Sequence, residues 1–142
     1  MKNLANCTPT EFLVQTNRIR KSAEKWMKAT DILGIRKNVP KLDAITADMD
    51  DKERARVASK NRKKTEAQMQ KNFSAILDAV LDEHPAETLE ILALVCFVEP
   101  KDIDKHPMSE YIDSIADLIS NKAVLNFFTS LVQLEQMNIS GA

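Results

Sequence analysis

Apolar positions recur along most of the chain at spacings of three and four residues, the periodicity of one face of an α-helix. The first such stripe begins after "TPTEF". There Thr8 is a suitable N-cap, Pro9 suits the first helical position, and Glu11 completes a capping box. Gly34 and Pro40 predict that this helix ends near residue 33. The stripe consists of Phe12, Thr16, Ile19, Ala23, Trp26, Thr30 and Leu33.

A second helix, of about thirty residues, is predicted over residues 49–84, which contain neither Pro nor Gly. Asp48 or Asp50 is its N-cap, and Glu53 follows Asp50 at capping-box spacing. Its basic N-terminal half has Val57 as its one large apolar side chain, so that half is predicted to project into solvent. The C-terminal half is predicted to bury a face formed by Met69, Phe73, Ile76, Leu77, Val80 and Leu81.

Three further helices are predicted in the C-terminal half. Pro85 suits the first turn of "PAETLEILALVCFV", which has almost no polar face and is predicted to be the central helix. Pro107 opens the next helix, and Asn121 is the N-cap of the last. The tail "NISGA" is predicted to fray. The apolar side chains of the last two helices are Met108, Tyr111, Ile112, Ile115, Leu118 and Ile119, followed by Val124, Leu125, Phe127, Phe128, Leu131, Val132 and Leu134.

The predicted fold is therefore all-α, with about five helices in a single domain over residues 1–142. A basic N-terminal helical arm or hairpin occupies residues 1–68, and a compact acidic helical cluster occupies residues 69–138. The composition agrees, because the two glycines of the chain are too few for the tight turns of a strand-rich fold. A chain of 142 residues is also long enough for one core.

Charge divides the chain into two halves. Residues 1–72 carry 17 Lys and Arg against 9 Asp and Glu, a net charge of +8, and residues 73–142 carry 3 against 12, a net charge of −9. This polarity could serve an anionic partner, or basic and acidic halves that meet within the protein or between copies of it. It motivates the hypothesis of a homo-oligomer in which copies stack head to tail, basic arm to acidic body.

Targeting signals are not visible in the sequence. The longest apolar run, residues 89–98, is about half the length that a membrane span requires. "MKNLANCTPTEF" has no apolar stretch behind its Lys, as a secretory signal would. Cys7 and Cys96 are interpreted as reduced thiols. The sequence predicts a soluble protein of the cytoplasm that has no membrane partner.

The residues for catalysis are few. His84 and His106 both directly precede a proline and are interpreted as residues at helix starts, and Cys96 lies on an apolar helix where a core role is favoured. No HExxH, CxxC, P-loop or GxGxxG motif occurs in the sequence. We therefore predict a protein that is not an enzyme, with no catalytic, cofactor-binding or metal-binding residues.

The basic run "DDKERARVASKNRKKTEAQ" is a candidate for phosphate contacts. Acidic residues flank it, however, and no aromatic side chain lies within it to stack on bases. A solvated helix face is the favoured interpretation, and nucleic acid is not the expected partner. The candidate contact residues, for DNA or for another protein, are Arg54, Arg56, Lys60, Arg62, Lys63 and Lys64.

Two apolar pairs are candidates for binding another chain. Trp26 and Met27 lie on the first predicted helix, and Phe127 and Phe128 lie on the last. Core packing is the alternative for each single side chain. Surfaces of this size can build an oligomer or hold a partner helix in a groove.

Three segments carry a resemblance to a known family: "NLANCTPTEFLVQTNRIRKSAEKWMKATDILGIRK", the charged "DMDDKERARVASKNRKK" helix, and "NFSAILDAVLDEHPAETLEILALVCFVEP". In this order they resemble small proteins encoded in the tail-gene regions of phages and prophages of Gram-positive bacteria. That family is similar to the tail assembly chaperones of long-tailed phages. The resemblance covers about residues 3–135 and rests on overall pattern, without a catalytic signature.

The resemblance implies an all-helical assembly factor that is absent from the finished virion. Such proteins bind the long, apolar tape measure protein, keep it soluble and help tail tube subunits polymerise around it. They are often made in two lengths by a programmed translational frameshift. A DNA-binding accessory protein that uses residues 52–64 is the alternative, and a structural head or tail component is a third.

Overall fold

The computed structural model describes the backbone of residues 1–140 and the side chains of residues 1–134. Over these residues the secondary structure is helical, and no strand is present. The all-α prediction is confirmed. The α-helices are α1 (Pro9–Thr30), α2 (Ile32–Arg36), α3 (Asp51–Leu77), α4 (Pro85–Val95), α5 (Met108–Ser120) and α6 (Lys122–Ser140). A π-helical segment, Asp78–Glu83, follows α3, and a 3₁₀ helix, Pro100–Lys105, follows α4.

The helices exceed the predicted number of about five, because α2, the π-helical segment and the 3₁₀ helix were not expected. The predicted frayed tail covers residues 138–142, of which 141 and 142 lie outside the described residues. Along the described backbone, no helix is both long enough and apolar enough to cross a membrane.

The chain forms two compact units. Residues 1–25 and 86–142 make one, here called the terminal unit, and residues 26–85 make the other, here called the middle unit. Helix α1 begins in the terminal unit and ends in the middle unit. The predicted division of the chain after residue 68 is a different one and stays a prediction.

The start of α1 has the predicted capping box. The backbone N–H of Glu11 donates to Oγ1 of Thr8 at 3.3 Å, and the backbone N–H of Thr8 donates to Oε1 of Glu11 at 3.2 Å. Two N–H groups without a helical partner are satisfied reciprocally in this way.

The predicted end of α1 at Gly34 is wrong. The helix ends at Thr30, because Asp31 takes the left-handed conformation with φ of 50°. Gly34 lies inside α2 instead, where a Cβ atom would come within 2.4 Å of the Asp31 carboxylate. This glycine therefore permits a close approach within the turn rather than ending a helix.

Helix α3 begins and continues as expected, but four of the six residues of its predicted buried face are exposed. The Asp50 carboxylate accepts from the Glu53 N–H at 2.8 Å, and the helical path runs through Leu77 into the π-helical segment. Met69, Phe73 and Leu81 nevertheless remain 63% to 65% exposed. Ile76 and Val80 of the predicted face are partly buried. The side of the helix that carries Met69, Phe73, Leu77 and Leu81 is left uncovered.

Buried residues of the terminal unit cluster at the end of α4. Ala93, Leu94 and Cys96 are buried there, together with Leu4 and Tyr111. The apolar side predicted for the helix that is now α5 is only partly covered, because Met108, Ile112 and Ile119 are all more than half exposed. Tyr111 of that predicted side is buried, and the helix also turns the polar Ser114 inward.

Candidate partner-binding surfaces

An apolar groove of about 430 Å³ lies between the first turns of α1 and the first turns of α6, within the terminal unit. Leu13 on its rim is 68% exposed, and Phe127 is 45% exposed. Both side chains are therefore available to a partner. The lining residues are Cys7, Pro9, Phe12, Leu13, Ala123, Val124 and Phe127.

Three phenylalanine rings cluster at this groove, and two of them, Phe12 and Phe127, line it. The Phe12 ring centroid lies 5.4 Å from that of Phe127 in an edge-to-face arrangement, and 6.0 Å from that of Phe128. The Phe127 and Phe128 rings are 5.5 Å apart. Such ring pairs are rigid and apolar, and they fix the spacing of α1 and α6. The predicted pair Phe127 and Phe128 is thus joined by Phe12, which the sequence placed on one helix stripe without a partner.

Helix α1 is positioned in the terminal unit by one buried polar contact. The Gln15 side chain is 6% exposed, and its Nε2 donates to the Leu94 carbonyl oxygen at 2.6 Å. Because a buried amide without a partner is costly, this bond specifies the register of α1 on α4.

Two ion pairs at the surface of the terminal unit also join α1 to the segment that contains α4. Arg18 binds Glu99 through two N–O contacts of 3.1 Å, and Lys25 Nζ lies 2.8 Å from Glu90 Oε2. The Arg18 guanidinium lowers the pKa of Glu99, and Glu90 raises the pKa of Lys25. The basic N-terminal segment and the acidic C-terminal half of the chain therefore meet within the terminal unit, one of the two arrangements that the charge polarity allowed.

The basic half of α3 is partly used inside the middle unit. Residues 38–49, here called the strap, run beside α3 without regular secondary structure. Arg54 donates to the carbonyl oxygens of Met49 and Ala47, each at 3.1 Å. Lys60 and Lys64 bind Asp43 at 3.4 and 3.2 Å.

Asparagine side chains complete the attachment of the strap. Asn61 accepts from the Asp43 N–H and donates to the Asp43 carbonyl, both at 2.9 Å, and Asn72 donates to the Asn38 carbonyl at 2.9 Å. Hydrogen bonding from Lys64, then its charge, and then the contacts from Lys60 lower the pKa of Asp43. The strap is thus held on α3 by polar contacts.

The other three predicted basic contact residues, Arg56, Arg62 and Lys63, point to solvent. All three are exposed, and the described contacts give none of them a hydrogen bond or an ion pair. The basic run of the sequence therefore separates into a structural set, Arg54, Lys60 and Lys64, and a free set, Arg56, Arg62 and Lys63.

Trp26 and Met27 lie in the middle unit, on the last turns of α1, and each is partly buried. The carbonyl of Trp26 accepts from the Thr30 hydroxyl at 2.8 Å. These two side chains present less open surface than Leu13 or Phe127.

A second apolar surface, here called the α3 stripe, was missed because its residues were predicted to be buried. Met69, Phe73, Leu77 and Leu81 follow one another at intervals of four along α3 and the π-helical segment, and they are 64%, 63%, 39% and 65% exposed. The sequence signal for the shared face was present, but no signal indicates whether a face is covered.

The sequence singled out Cys96 and His106 as residue types that can take part in catalysis. Burial raises the pKa of the Cys96 thiol, which is 1% exposed. His106 Nδ1 lies 2.7 Å from Glu110 Oε2 at the surface. Among the described side chains, no group of three or more His, Cys, Asp or Glu residues is placed to hold a metal ion.

Comparison with known proteins finds no family model, curated protein or solved structure that matches this chain. The candidate surfaces therefore rest on their own chemistry and geometry.

Proposed function

We propose that this protein is a non-enzymatic phage tail assembly chaperone that acts in the host cell cytoplasm. Its client is the tape measure protein, and it assists the assembly of tail tube protein around that client. The groove between α1 and α6 is the client-binding surface. The observation that carries the proposal is this open apolar groove, lined by the rings of Phe12 and Phe127 and by the exposed Leu13.

The groove suits a helical client in size and chemistry. An amphipathic helix lays a row of apolar side chains into such a groove, at spacings of three and four residues. The rigid rings of Phe12 and Phe127 provide contact area at small entropic cost, because they are already fixed against each other. A client that is insoluble alone gains solubility when that row is covered.

Co-expression with the tape measure protein of the same gene cluster tests the proposal. The tagged full chain is expected to keep the client in the soluble fraction and to co-purify with it. Leu13→Asp places a charge on the groove rim and is expected to reduce co-purified client by about tenfold or more. Leu42→Asp is the matched control, because Leu42 is a leucine on the strap that is 51% exposed.

Each failure has a separate meaning. A client that stays insoluble with the wild-type chain contradicts the chaperone proposal itself. A client that co-purifies equally with wild type, Leu13→Asp and Leu42→Asp retains the chaperone and removes the groove as its binding surface.

One observation favours a second candidate, a DNA-binding accessory protein. Arg56, Arg62 and Lys63 are exposed cations without a described partner, and phosphate contacts need little more than such cations. Changing these three residues to Glu is then expected to remove DNA affinity and to flatten its dependence on salt concentration. The matched control changes an equal number of exposed cations elsewhere in the middle unit, namely Lys28, Arg36 and Lys37.

A structural component of the phage head or tail is the third candidate. It differs from a chaperone in staying with the particle. Mass spectrometry of purified virions distinguishes the two, because a chaperone is expected to be absent from them and a structural component is expected at stoichiometric amounts.

A further inference from the structure

We propose that the α3 stripe binds the α3 stripe of a second copy of this chain, in an antiparallel, two-fold symmetric helix pair. This inference is separate from the client groove, since the stripe lies in the middle unit and the groove in the terminal unit. It is an alternative to the head-to-tail stacking of basic arm on acidic body, which stays a hypothesis.

The geometry of the helix keeps the four apolar side chains on one face. A step of four residues slightly exceeds one α-helical turn of 3.6 residues, so Met69, Phe73 and Leu77 drift gradually around α3. The π-helical segment has a wider turn, with the His84 N–H bonded to the Ala79 carbonyl five residues back at 2.9 Å. A step of four residues there falls short of a full turn and brings Leu81 back toward that face.

Exposure of the α3 stripe to water is energetically unfavourable, because its side chains are apolar. Phe73 and Leu81 are 63% and 65% exposed, and the opposite side of the helix carries the buried Ala79. A contiguous row of exposed Met, Phe and Leu side chains is typical of a surface that another chain covers. The row from Met69 to Leu81 is about 18 Å long, which matches the central part of a helix pair.

Charge identifies the occupant as a second copy in the antiparallel direction. Exposed cations without described partners, Arg62 and Lys63, lie before the stripe, and exposed carboxylates, Asp78 and Asp82, lie at its far end. A parallel pair would place like charges together at both ends. An antiparallel pair places the cations of each copy beside the carboxylates of the other.

The symmetry axis then passes close to Phe73. Residues at equal distances before and after Phe73 face each other across the axis, so Met69 opposes Leu77 of the second copy. Lys63 lies ten residues before Phe73 and Asp82 nine residues after it, so their side chains reach each other. A two-fold contact of this kind uses the same patch on both copies and closes upon itself.

Sedimentation velocity of the full chain over a range of concentrations tests the inference. The wild type is expected to dimerise reversibly, more weakly at high salt. Phe73→Asp is expected to raise the dimer Kd by about thirtyfold or more, because it puts two like charges at the axis. Val39→Asp is the matched control, since Val39 is 78% exposed in the same unit but lies on the strap.

Charge exchange tests the antiparallel direction. Lys63→Glu and Asp82→Lys are each expected to raise the dimer Kd by roughly three- to fivefold, and the double variant is expected to restore it. Restoration requires that the two positions face each other across copies. Far-ultraviolet circular dichroism is the control that checks whether each variant keeps its helix content.

Three results would overturn the inference. The first is a wild-type mass of one chain at every concentration. That result overturns the inference even if Phe73→Asp reduces client binding, because the stripe would then bind the client and not a second copy. The second is a Phe73→Asp dimer as stable as that of the wild type. The third is a double charge variant that is weaker than either single variant.

Discussion

The terminal and middle units differ in how they are held together. Nine described residues of the terminal unit are buried, against two in the middle unit, although the middle unit contains 60 residues. The terminal unit packs α4 and Tyr111 in a small core. The middle unit relies on side chains of α3 that hydrogen-bond the backbone of the strap. The buried residues of the terminal unit are Asn3, Leu4, Gln15, Ser22, Ala93, Leu94, Cys96, Tyr111 and Ser114, and those of the middle unit are Thr30 and Ala79.

This difference bears on where partners bind. In the terminal unit, exposed apolar side chains surround a core, so the groove is a surface feature of a packed body. In the middle unit, the side chains of the α3 stripe are exposed, whereas Asn61 and Asn72 of α3 bind the strap. A helix with its apolar face outward is stabilised by whatever covers that face, since burial of apolar surface provides most of the stability of a helix.

The largest contrast is expected from truncating one aromatic ring in each unit. Tyr111 is 2% exposed, and its hydroxyl donates to the Ile103 carbonyl at 2.7 Å, whereas Phe73 is 63% exposed. Tyr111→Ala is expected to lower the free energy of unfolding by about 3–5 kcal/mol, the range for buried aromatic rings. Phe73→Ala is expected to change it by about 0.5 kcal/mol or less when measured on the monomer.

Urea unfolding followed by circular dichroism at low protein concentration measures both values. Fluorescence of Trp26, the single tryptophan, reports on the middle unit in the same titration. Equal destabilisation by the two variants would mean that the units do not differ in packing.

A smaller contrast is expected between two amide side chains. Gln15 is buried in the terminal unit against Leu94, and Asn61 binds Asp43 at the surface of the middle unit. Gln15→Ala is expected to cost about 1–3 kcal/mol of unfolding free energy, because its loss leaves a buried acceptor with fewer donors. Asn61→Ala is expected to cost about 0.5–1.5 kcal/mol, the net value of hydrogen bonds that water can replace.

Hydrogen exchange separates the two effects by location. Asn61→Ala is expected to speed exchange of the Asp43 amide and its neighbours in the strap while the amides of α4 stay protected. Faster exchange throughout both units would show that the strap is part of one cooperative structure with the core.

Local signals in the sequence predicted the helix starts well. The capping contacts of Thr8, Asp50 and Asn121 each involve a backbone N–H three residues further along the chain, so sequence spacing alone specifies them. The early end of α1 was missed because Asp31 adopts a left-handed conformation that a non-glycine residue rarely takes.

Local sequence signals could not predict whether an apolar helix face is buried, or which residues far apart in the sequence come into contact. Phe12 and Phe127 meet across more than a hundred residues, and no periodicity gives the register of one helix on another. Hydrophobic patterning does not reveal the attachment of the strap, since asparagine and lysine side chains hold it. For the α3 stripe, the pattern predicted the shared face of Met69 to Leu81 but assigned that face to a core, because patterning alone does not distinguish a core from an unoccupied interface.

One helix N-cap in each unit, Asp50 in the middle unit and Thr8 in the terminal unit, allows a matched comparison of capping energy. Asp50→Ala removes the acceptor for the Glu53 N–H at the start of α3, and Thr8→Ala removes the acceptor for the Glu11 N–H at the start of α1. Each is expected to cost about 1 kcal/mol of unfolding free energy. Asp50→Ala is expected to fray the first turn of α3 in chemical-shift measurements, because the Glu53 N–H loses its acceptor. Asp50→Ser is the control. Serine retains a capping oxygen, so the free energy of unfolding and the chemical shifts of the first turn are expected to stay unchanged.

The smallest expected effect concerns the protonation of one carboxylate in each unit. Contacts from Lys64 and then Lys60 lower the pKa of Asp43, and Arg18 lowers the pKa of Glu99. A group whose pKa is lower in the folded state contributes stability above its unfolded pKa and loses it as the pH falls through the folded pKa. Both contacts are therefore expected to weaken on the acid side of the ordinary carboxylate range, and the strap is expected to loosen there.

NMR titration of the side-chain carboxyl carbons measures these pKa values directly. Lys64→Met is expected to raise the pKa of Asp43 toward its ordinary value, and Lys60→Met is expected to raise it less, because Lys64 makes the stronger contact. Neither variant is expected to move the pKa of Glu99, whose partner Arg18 lies in the terminal unit. A larger effect of Lys60→Met, or an ordinary pKa for Asp43 in the wild-type chain, would show that the strap lies on α3 without its carboxylate contact.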